Sequence, residues 1–448
     1  MFVADVRRIT ELAWPVLIGQ LAVIAFGVLD TAMAGRASAA DLAAIGLGGS
    51  IYVTVYISLM GVLQALSPIA GQLYGAQRHS EIGEEVRQAA WLGLVLAAIG
   101  MLILWFPAPL LHLADATPEL TEKATAYLRY EALALPAALG FRIYSALNNA
   151  LSRPVMVTVL QLAGLAIKFP LNALFLYGGM GFPAMGGPGC ALASMIISWL
   201  WFVAAVIILM RNPAYKPFAI FTHYSPPNRA RLWALVHLGV PMGFTYLIEI
   251  TSFTLMAIFI ARLGTVALAG HQIAANLGAV AYMVPLSLSI ATSTLAAQSI
   301  GARDRVAARR ISLNGIKLAV MCAVIVGAAV LFLRRELVSL YTHDAAVLAI
   351  AVPLLPFIAF YQMFDALQVM TAFILRAYKI ALIPTVIYAL SLWGVGLGGG
   401  YVLGFGLLGD IAAALRGAAG FWAANGLSLL VAGALLVSYF NRVSRAAN

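Results

Sequence analysis

Residues Ile311–Leu333 read ISLNGIKLAVMCAVIVGAAVLFL, and this stretch decides the fold class. It is a continuous run rich in Leu, Val, Ala and Gly, without the strict alternation of a barrel strand. A helix needs about 20 residues to cross a hydrocarbon layer roughly 30 Å thick. The stretch therefore predicts a membrane-spanning α-helix.

Similar runs recur along the whole chain of 448 residues. The composition agrees, since 63% of the residues are hydrophobic and 10% are charged, against about 45–50% and about 25% in soluble domains. The first run begins near Leu12, contains Asp30 and leads directly into a second run, so we interpret it as a true span and not as a cleaved signal peptide. We predict an all-α polytopic membrane protein.

Polar and Pro/Gly-rich breaks divide the chain into twelve predicted transmembrane spans. They cover residues 12–34, 43–72, 88–108, 122–150, 154–177, 188–210, 231–261, 267–298, 311–333, 346–375, 379–401 and 417–440. If the amino terminus is cytoplasmic, the outer loops hold far fewer basic residues than the inner loops, so the positive-inside rule places both termini in the cytoplasm. Because the basic residues are spread over loops, the net charge of +10 does not indicate a nucleic-acid partner.

An internal repeat accounts for this number of spans. Residues 15–76 align with residues 241–302 without a gap, at a constant offset of 226 positions. The matched pairs include Pro15 with Pro241, Arg36 with Arg262, Tyr56 with Tyr282 and Gln72 with Gln298. Six spans is an even number, so both repeats enter the membrane in the same orientation. We predict two parallel six-helix repeats, an N-lobe of residues 1–215 and a C-lobe of residues 216–448, that enclose a central cavity.

Three acids, Asp30, Glu249 and Asp365, lie inside these apolar runs. A charged side chain near the bilayer centre costs about 2.5–3.5 kcal/mol on insertion scales, so each acid must face the protein interior or water. We interpret the three acids as functional groups. Buried acids that serve only as hydrogen-bond partners in packing are the alternative.

Oxygen-bearing side chains accompany the two C-lobe acids at helical spacing. Tyr361 is one turn before Asp365, and Gln368 is three residues after it. Tyr246 lies three residues before Glu249. Such a set suits a hard cation such as Na+, or a pair of acids that binds protons.

Asp30 is a different case, because its aligned position in the second repeat is not acidic. Lys168 and Asn172, at positions i and i+4 on one helical face, are its candidate partners, together with Arg142 and Asn148 on the preceding predicted span. The scaffold is therefore predicted to be symmetric and its acids asymmetric. An Asp30–Lys168 ion pair with a purely structural role is the alternative.

Five short motifs stand in or beside the predicted spans. They are Pro241, Glu249, Phe253, Leu263-Gly264 and Ala267 with His271-Gln272-Ile273-Ala274; Asp30 with Met33-Ala34-Gly35; Pro68 to Gly75; Lys168-Phe169-Pro170-Leu171-Asn172; and Gly187-Pro188-Gly189-Cys190-Ala191. Together they resemble the multidrug and toxic compound extrusion (MATE) family, in its bacterial NorM-like branch, over essentially the entire chain. One departure is Leu176, where the archaeal DinF-like branch has an Asp one turn beyond the fifth-span Asn.

The resemblance implies a cation-coupled antiporter in a bacterial inner membrane. It would export amphipathic cationic drugs by alternating access, driven by Na+ or H+. Glu249, Asp365 and Tyr361 would form the C-lobe cation site, with Na+ as one candidate ion, while Asp30 and Asn172 would belong to an N-lobe site.

Further expectations follow from the same resemblance. Tyr246, Gln368 and Phe253 are expected to line the substrate cavity. We expect a monomer that uses no cofactor other than the transported ion.

The alternative function is a flippase for lipid-linked sugars, from the same superfamily. Its cavity should be lined by several arginines, whereas Arg142 and Lys168 are the clear intramembrane cations of this sequence. An enzyme is not expected, because the sequence has no zinc-type or nucleophile-elbow motif. It also has no nucleotide-binding loop, which leaves ion gradients as the expected energy source.

Overall fold

The computed structural model describes residues 2–112, 117–407, 409 and 415–446. These residues form twelve long helices, which we number α1 to α12. Their bounds are α1 Phe2–Ala37, α2 Ala39–Gly75, α3 His79–Trp105, α4 Pro118–Ala150, α5 Val155–Tyr177, α6 Gly187–Arg211, α7 Arg229–Ala261, α8 Thr265–Gly301, α9 Arg305–Phe332, α10 Ala345–Ala377, α11 Leu382–Gly404 and α12 Ala418–Ala446. Short helices occupy Ala108–His112, Pro213–Phe218 and Arg334–Ser339.

The twelve helices overlap the twelve predicted spans, and most extend beyond them. Among the described residues, eleven helices are long and apolar enough to cross a membrane. The remaining helix, α4, has 33 residues and is long enough, but it carries six charged side chains. They are Glu119, Glu122, Lys123, Arg129, Glu131 and Arg142. The predicted all-α polytopic fold is confirmed, and α4 is a long helix whose composition is unusually polar.

Two of the helices are irregular within their length. The α2 helix is interrupted at Gln64 and Ala65, between Ala39–Leu63 and Leu66–Gly75. The α11 helix contains a ten-residue π segment, Ala389–Gly398, preceded by Tyr388. Long π segments are rare, and π geometry often marks functional sites. Tyr388 is 1% exposed and belongs to the set of residues that surround the C-lobe acids.

The contacts divide the chain into two compact units that do not break at residue 215. The amino-terminal unit is Ile18–Gly243, and the carboxy-terminal unit combines Met1–Leu17 with Phe244–Asn448. The first turns of α1 therefore belong to the carboxy-terminal unit, and the first turns of α7 belong to the amino-terminal unit. The predicted lobe boundary at 215 and 216 remains a prediction about the sequence repeat.

The repeat is visible in the backbone. Gln77 and Arg303, separated by the offset of 226, both have positive φ, 60° and 62° respectively. Each residue follows the second helix of its half and precedes the third, since α3 begins at His79 and α9 at Arg305. A positive φ is uncommon for residues other than glycine, so the coincidence reflects the same turn used twice.

Within the amino-terminal unit, α3 holds the start of α7 through charged side chains. Arg231 forms an ion pair with Glu85 and lies 3.6 Å from Glu81, measured from Nη2 to Oε2. One turn away, Gln88 accepts a hydrogen bond of 2.8 Å from the backbone N–H of Asn228. We call this group, Glu81, Glu85, Gln88 and Arg231, the α3–α7 clamp.

The carboxy-terminal unit contains a matching clamp with the charges reversed. Asp5 accepts hydrogen bonds from Arg310 at 3.0 Å and from Asn314 at 2.8 Å, which ties the start of α1 to α9. At the offset of 226, Asp5 corresponds to Arg231 and Asn314 corresponds to Gln88. In the α3–α7 clamp the base lies on α7 and the acids lie on α3, whereas in the second clamp the acid lies on α1 and the base lies on α9. We call Asp5, Arg310 and Asn314 the α1–α9 clamp.

The segment that connects α6 and α7 is also hydrogen-bonded to α3. Arg87 donates to the backbone carbonyl oxygens of Ala219 and Ile220 at 2.7 and 2.9 Å and to the Ser225 hydroxyl at 2.9 Å. Near this point, Gly83 of α3 lies so close to the short helix Pro213–Phe218 that an added Cβ would overlap the carbonyl oxygen of Phe218. The absence of a side chain at Gly83 is what permits this approach.

Gly83→Ala is therefore expected to destabilise the protein. Overpacking against backbone costs roughly 1–3 kcal/mol, while the better helix propensity of Ala returns about 1 kcal/mol. Gly27→Ala in α1 is the matched control, because an added Cβ there meets no atom within 4 Å. Thermal unfolding in detergent should show a lower midpoint for Gly83→Ala and an unchanged or higher one for Gly27→Ala. Equal midpoints would contradict the close approach.

Candidate functional site

In the amino-terminal unit, Asp30 of α1 meets two side chains of α5. The Lys168 Nζ lies 2.9 Å from Asp30 Oδ1, and Asn172 Nδ2 donates to the same oxygen at 2.7 Å. All three residues are buried. Lys168 and Asn172 are one turn apart on α5, so both reach the same carboxylate. The ion pair considered from the sequence is therefore present, and Asn172 completes it.

Lys168 also contacts two other side chains near this ion pair. Its ammonium donates to the Ser194 hydroxyl of α6 and lies 5.3 Å from the ring centroid of Phe26. Its side chain is 0% exposed. The other two candidate partners of Asp30 have different contacts, since Arg142 donates to the Tyr56 hydroxyl and Asn148 bonds with Tyr215.

A fourth charged group of this cluster, Glu131 of α4, was missed from the sequence. Glu131 is 2% exposed, and the side chains of Tyr52 and Tyr127 face its carboxyl group. Asp30 and Lys168 are close enough to act on its charge. The signal that could have found it is helical spacing, because Tyr127 and Glu131 share a buried face of α4 although other charges surround them in the sequence.

In the carboxy-terminal unit, the structure brings Glu249 of α7 near Asp365 of α10. Both carboxylates interact electrostatically with the Tyr361 hydroxyl group, and Glu249 interacts in the same way with Asp365. Asp365 and Tyr361 are 5% and 6% exposed, and Glu249 is half-buried. Within residues 2–112, 117–407, 409 and 415–446, neither carboxylate has a hydrogen-bond donor or an ion-pair partner. The two acids therefore concentrate negative charge that no hydrogen-bond donor among those residues satisfies.

Three further residues that sequence reasoning missed surround this pair. Tyr282 of α8 and Tyr388 of α11 both interact electrostatically with the two carboxylates. Arg376, at the end of α10, is buried at 5% exposure and interacts with Glu249. The aromatic hydroxyls supply oxygen atoms and the guanidinium supplies a fixed positive charge.

Two of the residues predicted to line a substrate cavity, Tyr246 and Phe253, contact other side chains of the carboxy-terminal unit. Tyr246 accepts a hydrogen bond of 3.3 Å from Arg376, whose guanidinium lies 5.2 Å from its ring centroid. Phe253 packs edge-on against Tyr361 and Trp422, with ring centroids 6.3 and 6.4 Å apart. Their role in substrate binding stays a prediction.

Gln368 is also buried, and its side-chain oxygen is one of the few buried polar atoms without a partner in the described part of the chain. It lies one turn beyond Asp365 on α10. This unused acceptor, one turn from Asp365, adds an oxygen atom to the surroundings of that carboxylate. A role for Gln368 in binding substrate stays a prediction.

Comparison with known proteins shows similarity over almost the whole chain. A family model described as MatE matches residues 15–174 and 241–402. A "Probable multidrug resistance protein NorM" of Aromatoleum aromaticum is 38% identical over 428 residues, which cover 96% of this chain and 92% of that protein. The "Multidrug resistance protein PmpM" of Pseudomonas aeruginosa is 35% identical over 402 residues, which cover 90% of this chain and 84% of that protein.

Solved structures agree on the fold. The MATE transporter VcmN of Vibrio cholerae superimposes with a TM-score of 0.87, covering 100% of this chain and 98% of that one. The eukaryotic MATE transporter AtDTX14 also has a TM-score of 0.87 and equal coverage. Both are 17% identical to this chain, so they show a shared fold and no more.

Proposed function

The chain belongs to the MatE family, and we propose on that basis that it is a multidrug efflux transporter that exchanges Na+ or H+ for amphipathic cationic compounds. It is a multi-pass membrane protein and a transporter, not an enzyme, as its matched relatives and helices indicate. The observation that carries the cation coupling is the pair of the half-buried Glu249 and the buried Asp365, which have no hydrogen-bond donors among the described residues.

The charges around this pair support a monovalent cation. Two carboxylates and one guanidinium, that of Arg376, leave one negative charge in a buried region. A buried charge is stable only when it is paired or neutralised. One Na+ or one proton would balance it, and the hydroxyl of Tyr361 would supply a further oxygen ligand to Na+.

The same acids can couple the ion to the substrate. An amphipathic cation and a monovalent ion cannot both neutralise one surplus charge, so binding of one favours release of the other. Alternation between inward-open and outward-open states would then turn this competition into exchange. Each chain contains both halves, so we propose a monomer that needs no cofactor besides the transported ion.

We place the protein in the bacterial inner membrane with both termini in the cytoplasm, on the positive-inside pattern of its loops. The flippase alternative is not favoured, because the matched relatives are named multidrug resistance proteins. The acids near α7 and α10 also suit cationic substrates better than anionic diphosphate head groups.

Transport in proteoliposomes tests the proposal. Purified protein should move a fluorescent amphipathic cation against its gradient when a Na+ or an H+ gradient is imposed, and an ionophore that collapses the gradient should stop it. Protein-free liposomes are the control for leakage. If neither gradient drives movement in protein that binds the fluorescent cation, antiport is excluded.

A further inference from the structure

We propose that Glu131 is the carboxyl group of the amino-terminal half that takes up and releases a proton, and that Asp30 is a positioning group fixed by Lys168. The proposal rests on the cation-coupled function proposed above and assigns its second ion site. It depends on which acids of the buried cluster already have a counter-charge.

Asp30 has a full set of partners. Its Oδ1 lies 2.9 Å from the Lys168 ammonium and accepts a hydrogen bond from Asn172 at 2.7 Å. Both partners are 0% exposed, so the pair is shielded from water and from competing ions. A carboxylate held this way keeps its charge and has little reason to bind a proton. Its evident role is to hold α1 against α5.

Glu131 has no such partner. Among the residues that the structure describes, no Lys or Arg nitrogen lies within 4.0 Å of its carboxylate. The groups that face it are Tyr127 of its own helix, Tyr52 of α2, Lys168 of α5 and Asp30 of α1. Phenol hydroxyls can bond with a carboxyl group but cannot neutralise it, and the charge of Lys168 is already shared with Asp30.

The charge balance of the cluster therefore leaves one negative charge. Two acids, Asp30 and Glu131, share one base, Lys168. The carboxy-terminal half has the same balance in different positions, with Glu249 and Asp365 against Arg376. Although the acids are not duplicated in the sequence, each of these two clusters contains two acids and one buried base. One monovalent cation would therefore neutralise each cluster.

A proton fits the surroundings of Glu131 better than a metal ion does. The carboxyl group and two tyrosine hydroxyls give few oxygen ligands, and hard metal ions in proteins collect about six or more. A protonated carboxyl group needs one acceptor for its O–H, which a tyrosine hydroxyl can supply while it donates its own hydrogen. On release, the O–H bond of Glu131 breaks, the proton passes to water and the carboxylate remains.

Proton release on substrate binding tests the assignment. Detergent-purified protein in weakly buffered solution is mixed with a fluorescent amphipathic cation, and the released protons are counted with a pH indicator. Glu131→Gln should release about one proton fewer per chain than the wild type, because one titrating carboxyl group is removed. Glu119→Gln, in the exposed first turn of the same helix, is the matched control and should release as many as the wild type.

A double variant separates Glu131 from Asp30. Asp30→Asn with Lys168→Met removes the ion pair and keeps one negative charge, that of Glu131. Proton release should then match the wild type, and the infrared carbonyl band of a protonated carboxylic acid should remain. Glu131→Gln should lack the contribution of this group to the band.

The outcomes distinguish the two proposals. If the wild type releases protons but Glu131→Gln releases the same number, Glu131 is not the proton carrier and the antiport function still stands. If the double variant releases fewer protons than the wild type, Asp30 is the carrier. If the wild type releases none and no gradient drives its transport, the antiport function itself fails. Should Glu131→Gln not fold, the infrared band and the proton count of the double variant decide the question.

Discussion

Glu249→Gln and Asp365→Asn should each abolish cation-driven efflux. Each change removes one carboxylate from a pair whose two charges Arg376 balances only in part, so the site becomes neutral and no longer attracts a cation. Loss of one partner of a buried charge interaction costs roughly 3–5 kcal/mol, which corresponds to at least about a hundredfold weaker ion binding. Initial rates of transport in proteoliposomes under an imposed Na+ or H+ gradient measure the effect.

Glu336→Gln is the matched control for these variants. Glu336 belongs to the same half and lies exposed in the short helix Arg334–Ser339, away from the α7 and α10 carboxylates. It should transport at the wild-type rate. Wild-type coupling in both Glu249→Gln and Asp365→Asn would show that the pair is not the ion site, whereas loss of coupling in all three variants would indicate a general defect.

Arg231→Glu should disrupt the α3–α7 clamp. The change replaces an ion pair with three acids in close proximity, since Glu81 and Glu85 both face this position. The lost charged contacts are worth roughly 2–3 kcal/mol, below the value for a fully buried pair because the Arg231 side chain retains 30% exposure. We expect a lower unfolding temperature and strongly reduced efflux, measured on the same purified sample.

Charge exchange provides the control for the clamp. Glu85→Arg combined with Arg231→Glu should recover much of the stability that Arg231→Glu loses, because the α1–α9 clamp shows that the fold accepts the acid on the first helix of a half and the base on the third. A double variant no more stable than Arg231→Glu would mean that the ion pair does not hold α7. The corresponding exchange of Asp5 with Arg310 should behave in the same way.

The sequence by itself determined the features that depend on local pattern. Eleven of the twelve long helices in the described residues follow from continuous apolar runs, since each run satisfies its own backbone hydrogen bonds within the membrane. The repeat follows from matched residues at a constant offset, and the turn shared by Gln77 and Arg303 agrees with it. The prediction that Glu249 and Asp365 are functional groups followed from the cost of a charge inside an apolar run.

Only the tertiary structure decided which charges meet. Glu131 was overlooked because it lies among the other charges of α4, and Arg376 because it stands at a helix end, where basic residues usually face the cytoplasm. Both prove to be buried when α4 and α10 pack against their neighbours. The ion pair of Asp30 with Lys168 joins residues 138 positions apart, and the clamps join residues separated by 146 and 305 positions. Helical periodicity specifies the face that a side chain occupies, but its partner is set by packing between helices that are distant in the sequence.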